Sequence, residues 1–143
     1  PSTSSAASDV YKRQDIPTTN RHPYFLQTMW VNYQKQTEFN PTHIHKGVYS
    51  FVIWMKIPTE YNEQKENPIA KNTNLDVISN FCFYYKDIIG EHRYYTYEMS
   101  KKMEGLMIFF PSKLTHSVYP FFNCPENRIS ISGNISLNTN IIM

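Results

Sequence analysis

The chain is poor in the residues that build several common kinds of site. It has two cysteines, Cys82 and Cys124, in 143 residues. They form no CxxC pair, and two thiols make no disulfide framework, so a reduced, cytosolic setting is the simpler expectation. Four glycines leave no Gly-rich loop to cradle phosphates. No apolar run approaches the roughly 18 residues needed to span a bilayer, and no signal peptide is visible, so no membrane role is expected. A net charge of +2 is too small to point to nucleic acid. A Ser-His-Asp signature is missing as well, and Asp76 and Asp87 stand in no paired-carboxylate context.

What remains is aromatic and weakly charged. Aromatics make up 15% and charged residues 18%, a balance that excludes a disordered chain and favours β structure. Residues 15–143 are rich in Asn, Lys, Ile, Tyr and Phe, whereas residues 1–14, PSTSSAASDVYKRQ, are Ser/Ala-rich and contain no Asn, Ile or Phe. The stretch SSAASDVYKRQ resembles translated sequencing-adaptor read-through. Residues 1–14 are therefore read as a non-native segment and set aside. The expectation is an N-terminally truncated domain over residues 15–143.

The hydrophobic pattern predicts strands throughout. Residues 28–35 read as one. From Gly47 to Ile57 the pattern alternates, with Tyr49, Phe51, Ile53, Met55 and Ile57 on one face and Val48, Ser50, Val52, Trp54 and Lys56 on the other. Pro58 ends that strand, and the polar residues 59–79 read as a long loop. Residues 80–87 and 92–99 form a hairpin through Ile88-Ile-Gly-Glu91. A turn at 100–104 precedes an apolar strand at 105–110, stopped by Pro111. Further strands are expected at 114–121 and 127–137, joined by a turn around 123–127. No amphipathic helix is expected after residue 28. This pattern predicts an all-β sandwich or a double-stranded β-helix of the cupin or jelly-roll kind.

Three histidines stand out. His43 and His45 are two residues apart, so on an extended segment both point to one side. Asn40-Pro41 before them disfavours a helix, and neutral imidazoles in this spacing suit Fe, Zn, Cu or Ni. His116 lies between Ser112-Lys-Leu-Thr and Val118-Tyr-Pro120. Metal–nitrogen bonds of about 2 Å would require nitrogens of His116 and of His43 or His45 within about 5 Å of each other. His22 and His92 have no comparable neighbours, and His92 should face solvent. Arg128 opens a strand and would be an unpaired buried charge unless it met a carboxylate. A ligand could supply that carboxylate, or Glu126, Glu104 or Asp87 could form a structural ion pair. Ser130 shares the face of Arg128 and could add a hydroxyl. Tyr49, Trp54 and Tyr119 are candidates to line a pocket.

The order HxH, a distal His followed by Val and Pro, then Arg-x-Ser resembles the 2-oxoglutarate and Fe(II)-dependent oxygenases. The closer likeness, carried by residues 40–58, 105–121 and 128–134, is to the oxygenases of tailed bacteriophages. The likeness runs over roughly residues 25–137. It implies a double-stranded β-helix, Fe(II) held by His43, His45 and His116, and a 2-oxoglutarate carboxylate held by Arg128, with Ser130 beside it. The implied reaction couples decarboxylation of 2-oxoglutarate to hydroxylation of a substrate C–H bond, in the cytoplasm of a cell or of an infected host. The substrate class stays open between protein, nucleobase and small molecule. The usual iron set is two histidines and one carboxylate, and position 45 is His. Either iron has three histidine ligands, or one of His43 and His45 binds together with a carboxylate from elsewhere. Two other functions compete: a cupin-type metal enzyme with three histidines and no 2-oxoglutarate, and a non-enzymatic jelly-roll binding module. The first has no need of Arg128, and the second has no need of converging histidines.

Overall fold

A computed structural model of the chain describes residues 21–142. The segment 1–14 set aside above lies outside the described residues. Eight strands account for the architecture: β1 (Tyr24–Gln34), β2 (Asn40–His43), β3 (Tyr49–Lys56), β4 (Phe81–Lys86), β5 (His92–Tyr97), β6 (Met107–Pro111), β7 (Thr115–Val118) and β8 (Arg128–Leu137). They form two four-stranded sheets, ordered β1-β8-β3-β6 and β2-β7-β4-β5. The all-β expectation holds. The chain divides into two compact units. Residues 26–136 form the larger one. In the smaller, Asn138 N donates to Pro23 O at 2.8 Å, and His22 Nδ1 donates to Ile141 O at 2.8 Å.

Within the larger unit, apolar side chains of both sheets meet in one core. Val52, Trp54, Ile57, Ile108 and Phe110 pack with Phe81, Phe83 and Met99. The buried face of β3 is thus the one carrying Ser50, Val52 and Trp54. Ile57, assigned to the opposite face by strict alternation, is fully buried with them. A bulge explains the switch. Trp54 is opposite Ser130 and Lys56 is opposite Ile129, so Met55 is an extra residue and the side chains beyond it change face.

The hairpin β4–β5 forms as the turn residues predict, with Gly90 at φ +85°. Residues 59–79 differ from a plain loop. They include a one-turn helix, Tyr61–Gln64, and a 3-10 turn, Pro68–Ala70. Tyr61 and Gln64 are buried, and Gln64 exchanges hydrogen bonds with the backbone of Phe122. The helix is one turn long, too short to show a period in the sequence.

Candidate metal centre and acid pocket

Strand pairing brings the histidines together. β2 and β7 are antiparallel, and His43 lies directly opposite His116, which places their side chains within a few ångströms. A register shift between Asn40 and His43 sets that alignment. His45 lies two residues beyond the end of β2. Its backbone N–H donates to Ser112 O at 2.8 Å, and its carbonyl accepts from Lys113 Nζ at 3.2 Å. One ring nitrogen from each of His43, His45 and His116 lies within 4.8 Å of the others. Among the described residues, no Asp or Glu belongs to this group.

Hydrogen bonds fix two of the three rings in a ligand-ready form. A carbonyl can only accept. His43 Nδ1 therefore donates to Pro41 O at 2.6 Å, and His116 Nδ1 donates to Leu114 O at 2.9 Å. Each bond leaves an Nε2 lone pair available, the usual arrangement of a metal-binding imidazole. Nε2 of His45 is 3.0 Å from Nε2 of His116. Since the His116 nitrogen accepts, the His45 nitrogen donates, and His45 would hold a metal through that nitrogen as its other tautomer, with the proton on Nδ1. Burial pushes His116 down to about 4, with a further push from His43 and His45. Phe81, Phe83 and Phe110 surround its ring. His45 is lowered as well, mainly by burial and then by His43. Converging imidazole nitrogens fit a divalent transition metal.

The same cavity, of about 570 Å³, is lined by all three histidines, Arg128 and Ser130. Arg128 is 1% exposed. Its Nη2 donates to Ser79 O at 2.8 Å and to Ser79 Oγ at 2.6 Å. Its Nη1 donates to Tyr119 O and Gln34 Oε1, both at 3.3 Å. The ring of Phe121 lies 4.9 Å from the guanidinium carbon, within cation–π range. Nε is buried without a partner. Burial pushes the guanidinium down to about 9, so it keeps its charge at neutral pH. None of the three carboxylates considered as structural partners meets it. Glu126 pairs with Lys56, Asp87 pairs with Arg93, and Glu104 accepts from Ile57 N–H. The acceptors around Arg128 are neutral, which leaves a buried cation without a counter-charge among the described residues.

Residues 28–134 match the model of the family described as "Putative 2OG-Fe(II) oxygenase". The chain belongs to this family. No curated protein matches it. The match spans β2 to β7 whole and most of β1 and β8, and so contains the three histidines, Arg128 and Ser130. Within this oxygenase-family chain, Trp54 lines the cavity. Tyr49 instead packs its ring against Phe109 at 5.0 Å, and Tyr119 packs against Phe39 at 5.2 Å. His92 is exposed, away from the histidine group.

Sequence reasoning missed the wall that β1 contributes. Trp30, Asn32 and Gln34 alternate along β1 and all line the cavity. Trp30 stacks on His45, with ring centroids 5.7 Å apart. Asn32 Nδ2 donates to Ser130 Oγ at 3.3 Å and to Ser132 Oγ at 3.2 Å. The alternation of these residues was visible, but their chemistry depends on β1 lying beside β8. Pairing of the first strand with the last leaves no trace in local pattern. Glu38 is a further cavity residue; its carboxylate accepts from Lys35 N–H at 2.7 Å.

Proposed function

We propose that the chain is an Fe(II)- and 2-oxoglutarate-dependent dioxygenase that hydroxylates its substrate, with His43, His45 and His116 as metal ligands and Arg128 and Ser130 as the acid-binding pair. One observation carries this reading: three converging imidazoles and a buried arginine without a counter-charge line one cavity. The family match supports it. The sheet order also supports a double-stranded β-helix. Eight strands are divided between two four-stranded sheets, with the first strand beside the last, as in a jelly roll. The likeness to phage-borne oxygenases rests on the three stretches named above. Among the described residues no helix is long and apolar enough to cross a membrane, and a cytoplasmic setting agrees with the two free cysteines.

When bound, the metal and 2-oxoglutarate would supply the oxidising chemistry. The protein's contribution is orientation and shielding. The carbonyl bonds of Pro41 and Leu114 aim two imidazoles, and the phenylalanines around His116 exclude water. Arg128 offers a carboxylate hydrogen bonds from a site where little water weakens them. Anaerobic titration with Fe(II) and then 2-oxoglutarate is the test. The expected result is a visible charge-transfer band that needs both additions. No band, with no measurable binding of either, would reject the reading.

A cupin-type metal enzyme is the second reading, favoured by the lack of a carboxylate in the histidine group. It predicts metal binding with no dependence on 2-oxoglutarate. A purely non-enzymatic module needs no such convergence of histidines.

A further inference from the structure

The Arg128 guanidinium has five N–H donors, and their use is uneven. Nη2 is held tightly by Ser79, at 2.8 and 2.6 Å. Nη1 is held loosely, at 3.3 Å by both Tyr119 O and Gln34 Oε1. Nε is not held at all. Tyr119 O is backbone, fixed by its place after β7. Gln34 is the one side chain on the loose side, and it meets Arg128 from β1, the strand beside β8. Its amide is oriented by a second bond: Nε2 donates to Glu38 O at 2.7 Å. That bond points the amide oxygen at Arg128. Gln34 thus presents a neutral carbonyl oxygen where a carboxylate would be the stronger partner.

We propose that Gln34 is a displaceable stand-in for the ligand carboxylate, and that it sets both the affinity and the acid selectivity of the Arg128 pocket. This rests on the reading of Arg128 as the acid-binding residue. A long, neutral hydrogen bond keeps the buried charge partly satisfied while no acid is present. An arriving carboxylate replaces it with a charge-assisted one, and the amide swings aside. An uncharged ligand oxygen gains nothing over the amide already there, so the pocket prefers carboxylates.

The test is calorimetric titration of 2-oxoglutarate into the Mn(II)-loaded protein, carried out without oxygen chemistry. Four proteins are compared: the parent, Gln34→Glu, Gln34→Met and Arg128→Lys. Mn(II) affinity is measured on each, and melting temperature is measured without the acid. Gln34→Glu places a permanent carboxylate on Arg128. It should weaken 2-oxoglutarate binding by at least about tenfold, raise the melting temperature and leave Mn(II) affinity unchanged. Gln34→Met removes the competing acceptor at similar length and should bind 2-oxoglutarate more tightly than the parent. Parent-like affinity in Gln34→Glu, or weaker binding in Gln34→Met, would overturn the stand-in role while leaving Arg128 in place. Unchanged affinity in Arg128→Lys removes Arg128 from acid binding, and the Gln34 proposal goes with it. A parent that binds no 2-oxoglutarate overturns both.

Discussion

Individual side chains carry most of the chemistry, and His45 is the most informative of them. It stands where the usual iron set has a carboxylate, and no Asp or Glu joins the group among the described residues. His45→Asp should therefore keep or raise Fe(II) affinity, because it adds a negative oxygen ligand. His45→Ala should weaken affinity by on the order of tenfold, and His43→Ala and His116→Ala should abolish binding. Equal affinity in His45→Ala and the parent, measured by iron titration, would remove His45 from the site. Arg128→Lys should weaken 2-oxoglutarate binding without touching iron, since an ammonium cannot reproduce the planar fork. The histidines and the arginine were legible because their residue types are scarce and their spacing is unusual. Gln34 and Asn32 were not. Amides are common in this chain, and nothing near either marks its partner, which lies about a hundred residues away.

Among the elements, β8 shows how closely a ring packs over a strand glycine. Gly133 lies opposite Phe51 on β3. A Cβ at position 133 would come within 2.6 Å of the Phe51 ring and 2.8 Å of Thr28 O. The ring covers the glycine and the backbone of β1 closes over it. Gly133→Ala should cost about 1–3 kcal/mol through overpacking, seen as a lower urea midpoint. A parent-like midpoint would show that the Phe51 ring can yield. Strand positions were legible here from alternation and from Pro58, Gly90 and Pro111 as stops. β2 was harder to see. It is four residues long and contains Pro41, so its strand character comes from pairing with β7 and from nothing local. The bulge at Met55 was likewise hidden, since an extra residue shows only against a partner strand.

For the molecule as a whole, the buried histidine predicts how stability follows pH. His116 ordinarily titrates at 6.5 and in the fold at about 4. Between those values the unfolded chain takes up a proton that the folded chain refuses. Stability is thus complete above about pH 6.5 and declines as pH falls toward 4. The gap of about 2.5 units corresponds to about 3 kcal/mol at most. Chemical denaturation of chelator-treated protein between pH 7.5 and pH 4.5 (values about one unit outside and just inside the gap) should show the decline. In His116→Phe the decline should shrink. Bound metal adds stability by mass action, about 2.7 kcal/mol at a hundred times its dissociation constant. A chelator at pH 7.5 should therefore lower the melting temperature of metal-loaded protein, and an unaffected melting temperature would argue that no metal is bound.

The stacking of Trp30 on His45 also gives the protein its own optical reporter. The chain has two tryptophans. Trp54 is buried in the core beside Phe81, whereas Trp30 touches a histidine of the metal group directly. A paramagnetic ion held by His45 would quench Trp30 emission at contact range. Fe(II), Mn(II) and Co(II) occupancy should then be readable from intrinsic fluorescence, with no label and no substrate. Trp30→Phe should weaken the signal while leaving Trp54, which lines the same cavity, to report unfolding, so comparing the two proteins would separate loading of the centre from collapse of the fold.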